Sequence, residues 1–281
     1  MRHLVQSLAS GETNIIDIPC PRPKSNHLII KTRCSLISSG TERMLLKFSK
    51  GNILQKIKSQ PDKVAQVIAK LKSDGILDTL SAVNSKLDEP ISLGYCNVGE
   101  VVSVGKNVRG LRIGDRVVSN GNHAEFVSVP EMLCAKVPDD VDDEKAVFTI
   151  LASIGLQGIR ILEPTFGETI LISGLGIIGL LTCQILKANG INVLAVDTDL
   201  FKCEIAELLG IKVLHLNKSS DPLNWCNLET NFFGIDGAII TASTESNEPL
   251  NLAAKACRSR GRIILVGQSG SNINRDLFYE K

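Results

Sequence analysis

The sequence predicts an α/β chain in two parts: a β-rich N-terminal half with a helical insert, then a doubly wound parallel sheet. Three observations predict it. Short runs of strand composition, punctuated by glycines, fill residues 1–40 and 91–137. From residue 146 to the end, apolar strands alternate with helical stretches, the pattern of parallel β-α-β units. Between the two lies an acidic joint, Pro138-Asp139-Asp140-Val141-Asp142-Asp143-Glu144, which sets the expected division at 1–145 and 146–281.

In the first half, Leu28–Cys34, Gly99–Val104, Arg116–Val118 and Glu125–Val129 have strand composition, with turns at Gly105, Gly110 and Gly114. Several short strands at this spacing predict a small barrel-like domain. Residues 42–90 interrupt the pattern. Pro61-Asp62 opens a helix whose Val64, Val67, Ile68 and Leu71 share one face, and Gly75 follows its end. From Arg43 to Lys86 there are nine Lys/Arg and three Asp. Such a basic insert is either a solvated surface or a lid that attracts an anionic substrate. In the second half, helices are expected at Ala146–Leu162, Ile177–Ala188, Lys202–Leu209 and Pro249–Cys257. Strands are expected at Thr169–Ser173, Asn192–Val196, Lys212–Leu216, Gly237–Thr241 and Arg262–Val266.

Composition excludes several classes. The net charge of +1 over 281 residues points to neither nucleic acid nor a charged surface as partner. The N-terminus has no apolar stretch long enough for a secretory signal, and no run reaches the length of a membrane span. The eight cysteines are scattered, with no Cys-x-x-Cys pair, against both a disulfide framework and a zinc knuckle. A reducing cytoplasm is the simplest compartment for them.

Gly174-Leu175-Gly176-Ile177-Ile178-Gly179 matches G-x-G-x-x-G, a weak signal alone. Here it follows the apolar strand Ile170-Leu171-Ile172-Ser173 and opens a helix, and the next strand ends at Asp197, 18 residues beyond Gly179. Gly174 permits the tight turn, Gly176 lets backbone approach a pyrophosphate, and Gly179 lets helix pack on strand. The helix start, at Ile177 and Ile178, presents free N–H groups to the phosphates. Asp197 would accept from the adenosine ribose hydroxyls and repel a 2′-phosphate; Lys202 is the nearest cation after it. The expected cofactor is therefore NAD rather than NADP.

With these motifs the sequence resembles the medium-chain dehydrogenase/reductase superfamily, the alcohol-dehydrogenase-like proteins. The glycine loop, Asp197, Ala206 and Leu209-Gly210 fall where that family has them, as does Arg260-Gly261-Arg262-Ile263-Ile264-Leu265-Val266-Gly267, its fifth-strand motif. Val104-Gly105 and Gly114-Asp115-Arg116-Val117 resemble its GroES-like catalytic domain. The resemblance implies a Rossmann sheet, cofactor contacts that also take in Lys202, Thr241, Val266 and Gly267, and hydride transfer at nicotinamide C4 in a cleft between two domains. The order of motifs is similar to members forming the front half of two-part oxidoreductases of sugar and polysaccharide metabolism, which implies a sugar or nucleotide-sugar substrate.

The departures from that family define the expected chemistry. Its zinc members carry a Cys-Gly-Thr-Asp turn, here Ser39-Gly40-Thr41-Glu42, and Gly-His-Glu, here Gly94-Tyr95-Cys96. Ser39 and Tyr95 thus stand at the ligand positions, His3, His27, His123 and His215 fall on neither motif, and the four-cysteine lobe is missing. No bound zinc is expected. Tyr95 becomes the expected general acid, Thr41 a relay hydroxyl, and Ser39 and Glu42 supporting groups; a packed aromatic with a satisfied hydroxyl is the alternative for Tyr95.

The reading is a zinc-independent, NAD(H)-dependent oxidoreductase acting on an alcohol or carbonyl. Reduction of an activated C=C bond, and a non-catalytic dinucleotide-binding regulatory role, remain alternatives. Substrate and oligomeric state stay open, a homo-oligomer included. The family continues past its fifth strand, whereas only fourteen residues follow Gly267. The chain is therefore expected to be incomplete as a family member.

Overall fold

The computed structural model describes residues 1–7, 10–38, 40–43, 90–217 and 220–279. The helices expected within 42–90 lie, from residue 44 to 89, outside the described residues, as does Ser39. The chain divides into two compact units, Met1–Ile150 and Leu151–Lys281.

The first unit is built from β1 (Arg2–Gln6), β2 (Thr13–Asp17), β3 (His27–Ser35), β4 (Ile91–Ser92), β5 (Asn97–Val104), β6 (Arg116–Ser119), β7 (Phe126–Pro130) and β8 (Cys134–Lys136). They form a three-stranded sheet, β2-β1-β4, and a five-stranded antiparallel sheet, β7-β3-β5-β6-β8. Strand β3 lies inside the sheet, and its apolar residues serve both neighbours: Ile30 pairs with Val101 on one side and Val127 on the other. Leu28, Ile30, Val101, Val117, Val127 and Val129 make one buried cluster. A side chain at Gly99 would run into the Lys31 carbonyl, so glycine permits the β3–β5 approach there. Strand β3 ends at Ser35 and β5 begins at Asn97, and the Leu36 N–H donates to the Cys96 carbonyl at 3.0 Å. The two segments that carry the expected catalytic residues are thereby laid side by side. Residues 40–43 are helical.

The second unit is a parallel sheet of β9 (Thr169–Ser173), β10 (Asn192–Asp197), β11 (Lys212–His215), β12 (Ile235–Ile240) and β13 (Cys257–Leu265), in the order β11-β10-β9-β12-β13. Its helices are α2 (Thr149–Leu162), α3 (Ile177–Ala188), α4 (Leu200–Leu208), α5 (Pro222–Glu229) and α6 (Glu248–Ala256); a short α1 (Asp143–Ala146) precedes them. Both sheet faces are covered. On one face Ile170, Ile172, Val193, Ala195 and Ile239 pack against Ile159, Cys183, Leu186, Cys203 and Ala206, from α2, α3 and α4. On the other, Leu171, Leu194, Val196, Ala238 and Ile240 meet Cys226, Leu250, Ala253 and Ala256, from α5 and α6. Successive side chains of a strand point to opposite faces. Burial on both faces is why these strands read as continuous apolar runs.

Two expectations change. The single helix expected over Ala146–Leu162 is two, α1 and α2, with a turn at Val147-Phe148. At the break, Phe148 N–H donates to the Lys145 carbonyl at 3.2 Å, an i→i−3 bond that tightens and ends the first helical turn. Helix α5 was not expected, although Asp221 caps it by accepting from Asn224 N–H at 3.1 Å and Pro222 occupies its first turn.

Candidate dinucleotide and active-site residues

The glycine loop lies between β9 and α3, next to the carboxyl end of β10. Gly174 has φ +104, and a Cβ there would lie 2.6 Å from Ala242 N. A Cβ on Gly179 would run into the Gly174 carbonyl oxygen. Fold alone therefore demands both glycines. Gly176 is different: a Cβ there meets nothing within 4 Å. It is also the N-cap of α3, and no side chain caps that helix. A helix start with uncapped N–H groups and open space in front suits an anionic phosphate group. Ile177 and Ile178, half-buried, begin the helix.

Asp197, the last residue of β10, accepts from Leu175 N–H at 2.6 Å through Oδ2 and from Asp199 N–H at 2.8 Å through Oδ1. Its carboxylate thus braces the glycine loop from the neighbouring strand. The helix cap is Asp199, which accepts from Phe201 N–H at 3.1 Å, and Lys202 pairs with Asp199 at 3.3 Å. Thr241 donates its hydroxyl to the Gly174 carbonyl at 2.6 Å, tying the loop to the end of β12. Val266 and Gly267 follow β13; both N–H groups donate to the Ile240 carbonyl, at 2.9 and 2.8 Å. These residues, Lys202 excepted, converge on the carboxyl ends of adjacent parallel strands, where open α/β sheets take their ligands.

In the first unit, the half-buried Tyr95 donates its hydroxyl to Ser38 Oγ at 2.7 Å and lies 3.2 Å from Thr41 Oγ1. Three hydroxyls from two segments therefore share one hydrogen-bonded group. Glu42 is buried behind them. Its Oε1 accepts from Ser38 N–H at 2.8 Å, and His123 Nε2 stands 3.2 Å from Oε2 and 3.3 Å from Oε1. Both side chains are less than a tenth exposed. The other imidazole nitrogen, Nδ1, is 2.8 Å from Ser35 Oγ. Burial, and then the nearby Glu42, push the Cys96 thiol up to about 11, so it stays protonated and unreactive at neutral pH. Among the described residues no three His, Cys, Asp or Glu side chains cluster as metal ligands.

Of the expected catalytic residues, Tyr95, Thr41 and Glu42 come together, and Ser39 lies outside the described residues. Ser38, Ser35 and His123 were not anticipated. The Glu42–His123 contact joins residues 81 apart, brought near where β3 pairs with β7 and the His123 backbone bonds to Leu93 and Leu4.

The comparisons agree with this geometry. The family described as zinc-binding dehydrogenase matches residues 178–279, and the alcohol dehydrogenase GroES-like domain matches residues 66–139. An alcohol dehydrogenase of Moraxella sp. is 26% identical over 239 residues, covering 72% of this chain and 70% of its own. Among solved structures, galactitol-1-phosphate dehydrogenase from Escherichia coli superposes with a TM-score of 0.76 at 18% identity, covering 100% of this chain and 80% of that one. A quinone oxidoreductase from Pseudomonas syringae gives 0.69 at 18% identity, covering 99% and 78%. A GroES-like antiparallel unit, a parallel sheet with a glycine loop and an acid closing its second strand, and these matches lead to one conclusion: the chain belongs to the medium-chain dehydrogenase/reductase superfamily, the alcohol-dehydrogenase-like proteins.

Proposed function

We propose that this chain, an oxidoreductase by its superfamily, is an NAD(H)-dependent, zinc-independent enzyme that acts on an alcohol or carbonyl, a sugar or nucleotide-sugar among the candidates. One observation carries the reading: at the histidine position of the zinc members stands Tyr95, its phenol held by Ser38 and Thr41. The nearby carboxylate and imidazole are engaged with each other, His123 Nε2 standing 3.2 Å from Glu42 Oε2. Zinc binds thiolate, imidazole or carboxylate, and a neutral phenol is a poor substitute.

The second unit would hold the dinucleotide through Gly174, Gly176, Gly179, the first turn of α3 and Asp197. When bound, that group supplies the hydride acceptor or donor. The rest falls to the first unit. In reduction, the Tyr95 hydroxyl donates its proton to the substrate oxygen and is reprotonated from water; in oxidation it accepts the substrate's proton while releasing its own toward Thr41. Thr41, exposed and within reach of the phenol, passes the proton to water. Asp197 favours NAD because an aspartate repels a 2′-phosphate.

The test is a titration of NADH against NADPH, then a screen of aldehydes, ketoses and nucleotide sugars. NADH is expected to bind more tightly, and Asp197→Ala to weaken it by about 1.5–3 kcal/mol, the worth of a charged hydrogen bond. Tyr95→Phe is expected to lower kcat on the order of 100-fold or more, the share of a positioned acid. Tighter NADPH binding would remove the role of Asp197. One zinc per chain, lost on replacing Cys96, would overturn zinc independence.

A further inference from the structure

The least accounted-for group in the first unit is the buried imidazole of His123. Three chain segments meet on it. It touches Glu42 through Nε2 and Ser35 through Nδ1, which closes the 35–42 segment at both ends. Its backbone N–H donates to the Leu93 carbonyl at 2.8 Å, and its carbonyl accepts from Leu4 N–H at 2.9 Å. Its ring lies against Gly94, where φ is +87 and any Cβ would stand 2.6–2.7 Å from the imidazole. Gly94 directly precedes Tyr95, and Ser35–Glu42 contains the two hydroxyls that hold the Tyr95 phenol.

We infer that His123 is the positioning residue of the Tyr95 site: through Glu42 and Ser38 it fixes where the phenolic hydroxyl points. The inference rests on the proposed role of Tyr95 as the proton-handling group. A carboxylate accepts, so His123 Nε2 carries the hydrogen toward Glu42, and Nδ1 faces the Ser35 hydroxyl. Glu42, held from that side, turns Oε1 to the Ser38 N–H. That bond sets the backbone of residue 38, and so places the Ser38 hydroxyl oxygen that accepts the Tyr95 hydrogen bond. Nothing in this chain of contacts needs a metal. It uses a histidine from a distant strand junction to order a site whose own ligand positions hold a serine and a tyrosine.

The chain has two tyrosines, so tyrosine labelled with carbon-13 at Cζ gives two signals, and Tyr279→Phe assigns them. The Cζ shift reads the hydrogen bonding of the phenol without substrate or turnover. Ser38→Ala is the reference, since it removes the acceptor directly. His123→Phe and Glu42→Gln are expected to move the Tyr95 signal in the same direction as Ser38→Ala. His123→Gln, whose amide can donate to Glu42 and accept from Ser35, is expected to leave it near the original position. The exposed Tyr279 serves as internal control in the full-length variants. If His123→Phe does not fold, the comparison of Glu42→Gln with His123→Gln makes the same test. A Tyr95 signal that moves with Ser38→Ala but not with Glu42→Gln or His123→Phe overturns the inference. So does a His123→Gln signal displaced as far as that of His123→Phe.

On a carbonyl found by the screen, with NADH, His123→Phe is expected to lower kcat on the order of 100-fold, the cost of misplacing a reacting group by about 1 Å. The KM for NADH is expected to be unchanged and His123→Gln to restore most of kcat. Unchanged kcat in His123→Phe overturns the inference. Full turnover by Tyr95→Phe instead removes the proposed role of Tyr95, and the Cζ measurement still decides whether His123 sets the phenol's hydrogen bond.

Discussion

A methyl group added at Gly176 and one added at Gly179 meet opposite surroundings. At Gly176 the methyl enters open space; at Gly179 it collides with the Gly174 carbonyl. Gly176→Ala is therefore expected to fold with stability within about 0.5 kcal/mol of the parent, as surface substitutions do, while losing dinucleotide affinity because the methyl occupies the phosphate's place. Gly179→Ala is expected to cost about 1–3 kcal/mol through overpacking, moving the α3 start from the strand. Denaturant unfolding and NADH titration of the two variants separate the effects. Equal destabilisation of both would mean that Gly176, too, serves the fold rather than the ligand. The glycine loop and Asp197 could be read from sequence because one β-α-β unit contains them all and fixes their spacing. The Tyr95 group was legible only in part. Tyr95, Thr41 and Glu42 stand beside recognisable turns, whereas His123 reaches Glu42 through strand pairing across 81 residues, which no local spacing encodes.

At the scale of elements, burial decided what could be foreseen. Thr169–Ser173 and Ile177–Ala188 fall where the pattern put them, because one is apolar throughout and the other is periodic and bounded by glycine. Strand β4 has only two residues, too few for any period to show. Helix α5 buries Cys226 alone, so its apolar face gives little signal, and its start is marked instead by Asp221-Pro222. The cap then matters more to this helix than its packing. Asp221→Ala is expected to cost about 1 kcal/mol, read as a lower denaturant midpoint with unchanged m-value. An unchanged midpoint would show that packing on β12 and α6 holds the helix without its cap.

At the scale of the whole molecule, buried and half-buried thiols are expected to make stability fall at alkaline pH. Burial pushes Cys96 up to about 11 and Cys134, Cys183 and Cys226 up to about 12, from an ordinary value of 9.0. A thiol raised in this way keeps its proton in the native state after the unfolded chain has lost it. Its stabilisation is complete below pH 9 and disappears as pH climbs toward 11–12. Each such thiol contributes at most about 1.4 kcal/mol per pH unit to the slope. Stability measured from pH 8 to 11 is expected to fall steeply, and Cys183→Ala to flatten that fall, whereas replacing the exposed Cys20 leaves it alone. A slope unaffected by Cys183→Ala would place the alkaline sensitivity elsewhere. The order of strands has a further consequence, for how the chain assembles. β9 and β10 are neighbours in sequence and can zip early, carrying the glycine loop with them. The brace from Thr241 to Gly174 spans 67 residues and must wait until β12 inserts beside β9. Long loops close late. The glycine loop is thus expected to form as a loose turn before it becomes a rigid one. A ligand that recognises only the rigid form joins after the folding barrier, and its affinity is spent on lengthening the lifetime of the native chain rather than on hastening its arrival.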